Sequence, residues 1–275
     1  MNLHRSLSVA VLACLGAHIP SACYAQNSIS NEDLVGLWLF DEGDGQTITD
    51  SSGNENDGFV KLVVGRSPQW GHGEFAGTLS LDGKDDSHVE IPASDSLNTV
   101  SDAVTVVATI YPRNLWLEGE DNPGFVAIVQ RQWKKVRHPD QFYLGYGVQS
   151  HTQTYKWHAG VADGEVDIYA LPSSAPPSLD ARWTQIAATY DDVTGYAKLF
   201  VNGELIGSDD GSGAIRIDDA VSKSRPLVIG AEFNWSNVAG EFDGYIDEVR
   251  LYSRALSASE IKELAASSPR RLGEQ

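Results

Sequence analysis

The chain has 275 residues, of which 41% are hydrophobic, and this is enough for one large all-β domain or two small ones. Its 7 Trp, 10 Tyr, 8 Phe and 26 Gly favour many short strands joined by tight turns. The formal net charge of −18 argues against nucleic acid as a partner, because an acidic surface repels phosphate. Such a surface can supply oxygen ligands for calcium, or it can simply keep the protein soluble.

The first 25 residues are predicted to be a signal peptide, so the protein is expected to be exported to the periplasm, the cell surface or the medium. Arg5 supplies a positive charge, residues 7–19 form an apolar stretch, and Ala25 ends a signal-peptidase pattern. A lipoprotein box at Cys23 is the alternative, although Pro20 stands where leucine is usual. Both cysteines lie in this leader, so the mature chain is expected to be free of disulfides. No other segment is long and apolar enough to cross a membrane.

After a short polar lead-in, the first strand is predicted over residues 34–40, which are apolar on both faces and therefore buried. A long loop rich in Asp, Asn, Ser and Gly follows over residues 41–58. Asn202 and Gly203 are the pair that best supports a tight hairpin turn. Many short strands separated by turns indicate a sandwich or a barrel. The further predicted strands cover residues 78–81, 88–91, 104–111, 125–130, 142–148, 155–161, 166–169, 184–190, 196–201, 204–208, 227–229 and 245–252.

One helix is predicted close to the C-terminus. Ser257 and Glu260 form a capping box, and apolar residues follow at helical spacing. No linker of useful length separates two cores. Residues 34–265 are therefore interpreted as one domain and residues 266–275 as a loose C-terminal tail.

Four motif blocks follow one another along this domain. They are GLWLFDEG at residues 36–43, LSLDG at 79–83, WTQIA at 183–187 with LFVNG at 199–203, and FDGYIDEVRLY at 242–252. In these blocks and their order the chain resembles LamG-like jelly-roll domains of the concanavalin A-like lectin/glucanase superfamily. The resemblance implies an all-β fold, in which two antiparallel sheets form a jelly-roll β-sandwich, here with a short C-terminal helix. It also implies carbohydrate or protein binding as the usual role, and often a bound calcium ion.

Asp247 is the acidic residue with the most informative position. On the predicted strand 245–252 it alternates with Tyr245, Val249 and Leu251, which places it among residues that face the core. A buried carboxylate is costly unless it is paired or bound to a metal. One hypothesis is a structural calcium ion that is completed by oxygens of the first long loop. The alternative is that Asp247 accepts backbone N–H groups or pairs with an arginine. The predicted calcium ligands are Asp41, Asp50, Asn54 and Asp247.

The question of catalysis depends on one strand. Retaining glucanases of this superfamily carry three acids at alternate positions, which act as nucleophile, helper and acid/base. Glu165 and Asp167 match the first two positions, but Tyr169 stands at the third, with Ala170 next to it in the longer form of the motif. Because the general acid is missing, the sequence predicts no catalysis here. The chain also lacks a Gly-x-Ser-x-Gly elbow, a P-loop and a dinucleotide fingerprint.

Residues 131–182 depart from the compact family pattern and carry a basic cluster that includes Arg131, Lys134 and Arg137. Aromatic rings beside charged groups can hold a glycan, and the basic cluster would help if that glycan is acidic. The alternative is that most of these rings lie in the core or on a sheet face. The predicted ligand-contacting residues are Trp116, Trp133, Tyr143, Trp157 and Trp235.

Taken together, the residues and the resemblance predict an exported, non-catalytic binding module with a structural calcium ion. Its partner would be a polysaccharide or a glycoconjugate. Two alternatives stay open at this point: an adhesion module that binds a cell-surface protein and no sugar, and a degenerate polysaccharide hydrolase.

Overall fold

The computed structural model describes residues 31–63, 65–72, 77–84, 87–113, 125–132, 140–149, 152–161, 164–170, 182–210, 215, 223–234, 237–268 and 270. Between residues 152 and 170 it describes the backbone alone. The predicted signal peptide and its two possible processing sites lie outside these residues. Within them, no helix has the length and apolar character needed to cross a membrane.

Strands dominate the described residues, as the composition predicts. In chain order they are β1 (Leu34–Trp38), β2 (Thr47–Ile48), β3 (Gly58–Lys61), β4 (Gln69–Trp70), β5 (Leu79–Asp82), β6 (His88–Ile91), β7 (Ala103–Pro112), β8 (Phe125–Gln132), β9 (Asp140–Gln149), β10 (Thr152–Val161), β11 (Gly164–Ala170), β12 (Thr184–Asp191), β13 (Tyr196–Val201), β14 (Glu204–Asp210), β15 (Leu227–Ile229), β16 (Glu232–Asn234), β17 (Asn237–Ala239) and β18 (Asp243–Tyr252). A short 3-10 helix covers Leu97–Thr99, and the helix α1 covers Ala258–Ser267.

Two large antiparallel sheets form from these strands, which confirms the predicted jelly-roll sandwich. The first sheet has the order β14-β13-β12-β7-β18-β5-β4, and β1 also pairs with β18. The second sheet has the order β11-β10-β9-β8-β15-β6-β3-β2. The strands β16 and β17 pair with each other in a separate two-stranded sheet. Strands that are far apart in the chain become neighbours in these sheets. The pairing of β5 with β18, for example, brings together the motif blocks at 79–83 and 242–252.

The core lies between the two sheets and is built from alternate residues of their strands. On β7, Val104, Val106, Ala108 and Ile110 all belong to this core, as their alternation in the sequence predicts. We call the opposite side of the first sheet its outer face. Part of the outer face is covered by α1, whose Ile261 and Leu264 belong to a second apolar cluster. The apolar side of this amphipathic helix is therefore the side that packs on the sheet.

The helix begins as the sequence predicts. The Ser257 hydroxyl accepts the Glu260 backbone N–H, and the Glu260 carboxylate accepts the backbone N–H of Ser257. The helix ends at Ser267, two residues beyond the predicted domain boundary. Several very short strands, among them β2 and β4, were not predicted, because two residues carry too little periodicity to be recognised.

Candidate functional site

A groove opens at the edge of the first sheet, beside the hairpin that β4 and β5 form. Its volume is about 650 Å³. The hairpin is closed by a hydrogen bond from the Gly71 backbone N–H to the Thr78 carbonyl, at 2.9 Å. The side chains around the groove come from this hairpin, from the segment before it, and from the ends of β7 and β18. They are Leu62, Arg66, Ser67, Gln69, Trp70, His72, Ser80, Asp82, Ser87, Arg113 and Tyr245.

Tyr245 gives the groove an aromatic wall. It pairs with Ser80 on β5 and with Tyr111 on β7, so the three residues cross the outer face of the sheet side by side. The ring centroids of Tyr245 and Tyr111 are 6.2 Å apart in an edge-on arrangement, and Tyr111 lies 5.4 Å from the ring of Trp183. A row of three aromatic rings therefore runs from the groove across the sheet, in the geometry that aromatic rings favour.

Arg113 fixes the corner where this wall meets the polar side of the groove. Its guanidinium carbon lies 5.0 Å from the centre of the Tyr245 ring. Its Nε donates to Asp243 Oδ1 at 2.8 Å and its Nη1 donates to Ser80 Oγ at 2.9 Å. The remaining nitrogen, Nη2, donates to the Leu81 carbonyl. Every nitrogen of this fork is thus used to tie β5 to β18, so the position of the Tyr245 wall is fixed by hydrogen bonds.

The other charged groups of the groove are also paired. Arg66 Nη1 lies 3.0 Å from Asp82 Oδ2, and the second oxygen of Asp82 accepts from the Ser87 hydroxyl at 2.7 Å. The charges of Arg66 and Arg113 are therefore balanced by Asp82 and Asp243. In a chain of net charge −18, the described part of this groove is electrically close to neutral and rich in hydroxyl and amide groups.

Trp70 forms the buried side of the groove. Its ring is largely enclosed, and its indole N–H has no acceptor among the described residues. Among the residues that the structure describes, the Trp70 N–H is thus a buried donor of the groove wall, and an acceptor for it would lower the free energy.

Asp247 lies on the same strand as Tyr245 but in an unexpected setting. The pairing of β18 with β7 skips it, since Ile246 pairs with Ile110 and Glu248 pairs with Thr109. Asp247 is the extra residue of a β-bulge, and a bulge reverses the alternation of faces beyond it. Ile246 before the bulge and Val249 after it both face the core. The predicted alternation of Tyr245 with Val249 and Leu251 is therefore wrong, because Tyr245 lies on the outer face.

The carboxylate of Asp247 is buried, at 4% exposure, and it is paired with an arginine. Arg270 Nε donates to Asp247 Oδ2 at 3.1 Å and Arg270 Nη2 donates to Oδ1 at 3.3 Å. Burial raises the pKa of Asp247 to about 6, against the opposing effect of Arg270. Asp41 lies near this pair: its pKa is raised by partial burial, and Arg270 acts to lower it. The alternative in which Asp247 pairs with an arginine is the one that the structure contains.

Asp50 and Asn54 are engaged elsewhere. Asp50 Oδ1 accepts the backbone N–H groups of Leu37 and Ser52, and Oδ2 accepts the Ser52 hydroxyl and the Asn56 backbone N–H. Asn54 Nδ2 donates to the carbonyl of Leu34 at 2.8 Å. These contacts fasten the first long loop to β1 with N–H and O–H donors, in the place where calcium was predicted.

The four predicted calcium ligands therefore do not form one site. Asp41 and Asp247 gather around Arg270, whereas Asp50 and Asn54 hold the loop against β1. Across the described residues, no three His, Cys, Asp or Glu side chains are close enough to hold a metal ion. The residues present do not fit a calcium site of the predicted composition, and calcium binding by the protein stays a prediction.

Among the predicted ligand-contacting aromatic residues, Tyr143 is the one whose side chain the structure describes. Trp116, Trp133 and Trp235 lie outside the described residues, and of Trp157 only the backbone is described, in β10. Tyr143 is 2% exposed, so its ring is packed on the second sheet and offers no face to a ligand. This corrects the prediction for Tyr143.

Arg131 also differs from its predicted role as part of a basic surface cluster. It is 0% exposed, and its guanidinium donates to the carbonyl of Leu97 at 2.5 Å and to Asn98 Oδ1 at 2.6 Å. A further contact joins its Nε to the Arg225 carbonyl at 3.4 Å. Burial lowers the pKa of Arg131 to about 10. The residue caps the 3-10 helix inside the sandwich and is not available to a ligand.

Comparisons with known proteins agree with this architecture. A family model described as Laminin_G_3, of the concanavalin A-like lectin/glucanases superfamily, matches residues 82–262. Domain 4 of AbnA, a GH43 extracellular arabinanase from Geobacillus stearothermophilus solved in complex with arabinotriose, superposes with a TM-score of 0.58 at 20% identity, over 85% of this chain and 98% of that chain. The binding domain of Paraclostridial Mosquitocidal Protein 1 gives a TM-score of 0.62 at 20% identity, over 86% of this chain and 52% of that chain. These two likenesses show the fold.

A sequence relative is much longer than this chain. The Sushi, von Willebrand factor type A, EGF and pentraxin domain-containing protein 1 of Rattus norvegicus is 32% identical over 104 residues, which are 36% of this chain and 3% of that protein. The chain thus matches only a small part of this relative. The family model, in contrast, matches more than half of the chain, and its span includes β18 and most of the groove's sheet. The chain belongs to the Laminin_G_3 family of the concanavalin A-like lectin/glucanases superfamily.

Proposed function

We propose that the protein is an exported, non-catalytic carbohydrate-binding module and that the groove beside Tyr245 is its binding site. The observation that carries this proposal is the composition of the groove. An aromatic wall stands next to a set of hydroxyl, amide and guanidinium groups that are held in place by hydrogen bonds. A sugar ring has an apolar C–H face and a rim of hydroxyl groups, so it needs both kinds of surface at once.

The size and charge of the groove narrow the class of ligand. A volume of about 650 Å³ lies within the usual range of small-molecule sites and suits a short stretch of sugar residues. The two arginines of the groove are each paired with a carboxylate. Since the described residues of the groove leave no net positive charge to attract a uronic acid or a sulfate, the groove favours an uncharged polysaccharide.

Several further observations support binding without catalysis. Glycoside hydrolysis needs a pair of carboxyl groups that act on the bond to be cleaved. Among the described residues, the carboxylates beside the groove are Asp82 and Asp243, and each is paired with an arginine. In the strand β11, Tyr169 occupies the position of the missing acid. The arabinanase domain that shares this fold was solved with arabinotriose, which supports a sugar as ligand.

Export is the part of the proposal that depends on the sequence alone. The predicted signal peptide over residues 1–25 would bring the module to the side of the membrane where polysaccharides are found. Processing can be read by mass spectrometry of the secreted protein, which would begin at Gln26 after simple cleavage. A lipid-modified Cys23 would instead establish the lipoprotein alternative.

The binding proposal is tested with a panel of polysaccharides. Retention of the protein by neutral arabinans, glucans, xylans and mannans is compared with retention by polyuronates, by affinity electrophoresis and pull-down. We expect a neutral polysaccharide to retain the protein and Tyr245→Ala to abolish most of that retention. If no polysaccharide is bound, carbohydrate binding fails and adhesion to a protein partner becomes the better account. Reducing sugar released from any member of the panel would contradict the absence of catalysis.

A further inference from the structure

Arg270, the last residue that the structure describes, contacts a carboxylate, a backbone carbonyl and an aromatic ring. Its guanidinium binds both oxygens of Asp247, at 3.1 and 3.3 Å. Its Nη2 also donates to the Gly77 carbonyl at 3.3 Å. Its central carbon lies 4.7 Å from the ring centre of Trp183. A residue of the predicted loose tail is therefore anchored on the body of the sandwich.

The three groups together match the chemistry of a guanidinium ion. A carboxylate accepts the planar fork of N–H groups in two parallel hydrogen bonds, and an aromatic ring attracts the flat, weakly hydrated cation from above. Trp183 is 8% exposed and Asp247 is 4% exposed, so water competes little for either contact. A lysine ammonium group is a strongly hydrated point charge and cannot make the paired hydrogen bonds.

The same contacts join the elements that build the groove. Gly77 belongs to the turn of the β4–β5 hairpin, which forms one side of the groove. Asp247 follows Tyr245 by two residues on β18. Trp183 contacts Tyr111, which in turn contacts Tyr245. Arg270 thus contacts the β4–β5 hairpin through Gly77, the strand β18 through Asp247, and the row of aromatic rings through Trp183.

Gly77 fits this site closely. Its φ of +73° is in the left-handed region, and a Cβ built on it would lie 2.8 Å from Asp41 Oδ1. The Gly77 backbone therefore lies against Asp41, and the Gly77 carbonyl accepts a hydrogen bond from Arg270. Without the arginine, the buried carboxylate of Asp247 would lose its cation, while Asp41 and Glu248 still act on it as negative charges.

We propose that Asp247, Trp183 and the Gly77 carbonyl form a guanidinium-binding site that Arg270 fills from within the chain, and that its occupancy holds the β4–β5 hairpin in the position that the groove needs. The guanidinium-binding site does not depend on what the groove binds. Its effect on ligand affinity rests on the carbohydrate-binding function proposed above. Arg270 is then a positioning residue, which acts on the ligand through the hairpin.

Chemical rescue of the variant Arg270→Ala tests the site. Hydrogen exchange of the peptide over residues 69–80 is measured by mass spectrometry, with ethylguanidinium or ethylammonium added at equal millimolar concentration. We expect the variant to lose protection in this peptide by about tenfold, and ethylguanidinium alone to restore it. Arg270→Lys should remain as unprotected as the alanine variant. Arg254→Ala, which removes an ion pair with Glu260 at the start of α1, is the matched control and should leave the peptide unchanged.

The affinity of the groove is measured on the same samples with the polysaccharide that binds best. Rescue of both protection and affinity by ethylguanidinium supports the whole proposal. Rescue of protection without any sugar binding would mean that the guanidinium site exists and that the proposed function is wrong. Equal protection in Arg270→Ala and the native protein, or equal rescue by ethylammonium, would overturn the guanidinium site even if sugar is bound.

Discussion

Replacement of Asp247 by asparagine tests how the buried negative charge and its pairing with Arg270 each affect the free energy of unfolding. Asp247 is 4% exposed, and burial raises the pKa of its carboxyl from 3.8 to about 6 despite the opposing effect of Arg270. One pKa unit corresponds to about 1.4 kcal/mol, so the ionised group destabilises the folded protein by about 3 kcal/mol at neutral pH, relative to a carboxyl of ordinary pKa.

An acid whose pKa is raised by folding binds its proton more tightly in the folded state than in the unfolded chain. The contribution of Asp247 to the free energy of unfolding therefore increases as the pH falls through the interval between about 6 and 3.8. Asparagine keeps one oxygen as an acceptor for Arg270 and does not titrate. At neutral pH we expect Asp247→Asn to remain within about 1 kcal/mol of the native protein, because the weaker hydrogen bond to Arg270 is offset by removal of the buried negative charge, and the Arg270 side chain keeps 16% exposure to water.

Urea unfolding, followed by Trp fluorescence, measures both quantities. As the pH is lowered from about 7 to about 4.5, the free energy of unfolding of the native protein should increase by about 2 kcal/mol relative to that of Asp247→Asn. The control variant Asp210→Asn, on the exposed edge strand, should follow the native protein over the same interval. A loss of about 3–5 kcal/mol in Asp247→Asn at neutral pH would instead mean that the ion pair with Arg270 stabilises the fold, since that is the effect of removing one partner of such a buried pair. If calcium raises the melting temperature of the native protein and not that of Asp247→Asn, the predicted calcium role of this residue would hold after all.

Three further variants test the described contacts. Arg131→Ala should lower the free energy of unfolding by about 3–5 kcal/mol, because it leaves buried carbonyls and a cavity; a loss below about 1 kcal/mol would contradict the buried role. Gly77→Ala should cost about 1–2 kcal/mol for the left-handed backbone alone, and thermal melting that is unchanged would show that the turn has another conformation. The hydrogen bond from Arg254 is the largest cause that lowers the pKa of Glu260, from 4.5 to about 2. The ionised Glu260 therefore stabilises the folded protein above pH 4.5, and this stabilisation is lost as the pH falls towards 2. The melting temperatures of the native protein and Glu260→Gln should accordingly converge towards pH 2, and a constant difference would contradict the ion pair.

The fold could be predicted from the sequence because its signals are local and repeated. Alternating apolar residues marked β7, and the pair at Asn202 and Gly203 marked the turn between β13 and β14. The capping box at Ser257 marked the first turn of the helix. Each of these signals depends on residues close to one another in the chain, where the physics of strands, turns and caps is decided.

The site could not be predicted in the same way, since the residues that build it are far apart in the chain. The bulge at Asp247 depends on the pairing of β18 with β7, and it moves Tyr245 to the outer face against the simple alternation. Arg113 reaches Asp243 across 130 residues, and Arg270 reaches Gly77 across 193. Such contacts have no local pattern.

Amino-acid type alone also misled the prediction of individual residues. Tyr143 and Arg131 carry side chains that are common in ligand sites, yet both are buried in the sandwich. Asp50 has the oxygens that calcium prefers, but its loop supplies N–H and O–H donors instead. The burial of each side chain, which the sequence does not specify, decides between these roles.

Binding of an uncharged polysaccharide in the groove beside Tyr245 can be measured by one calorimetric titration. An oligosaccharide of the best-retained polysaccharide is titrated into the native protein, into Tyr245→Ala and into Tyr196→Ala, whose ring is 55% exposed on β13. We expect the dissociation constant to rise at least about tenfold in Tyr245→Ala, which corresponds to about 1.4 kcal/mol, and to stay unchanged in Tyr196→Ala. Equal affinity in the native protein and Tyr245→Ala would contradict the assignment of the groove.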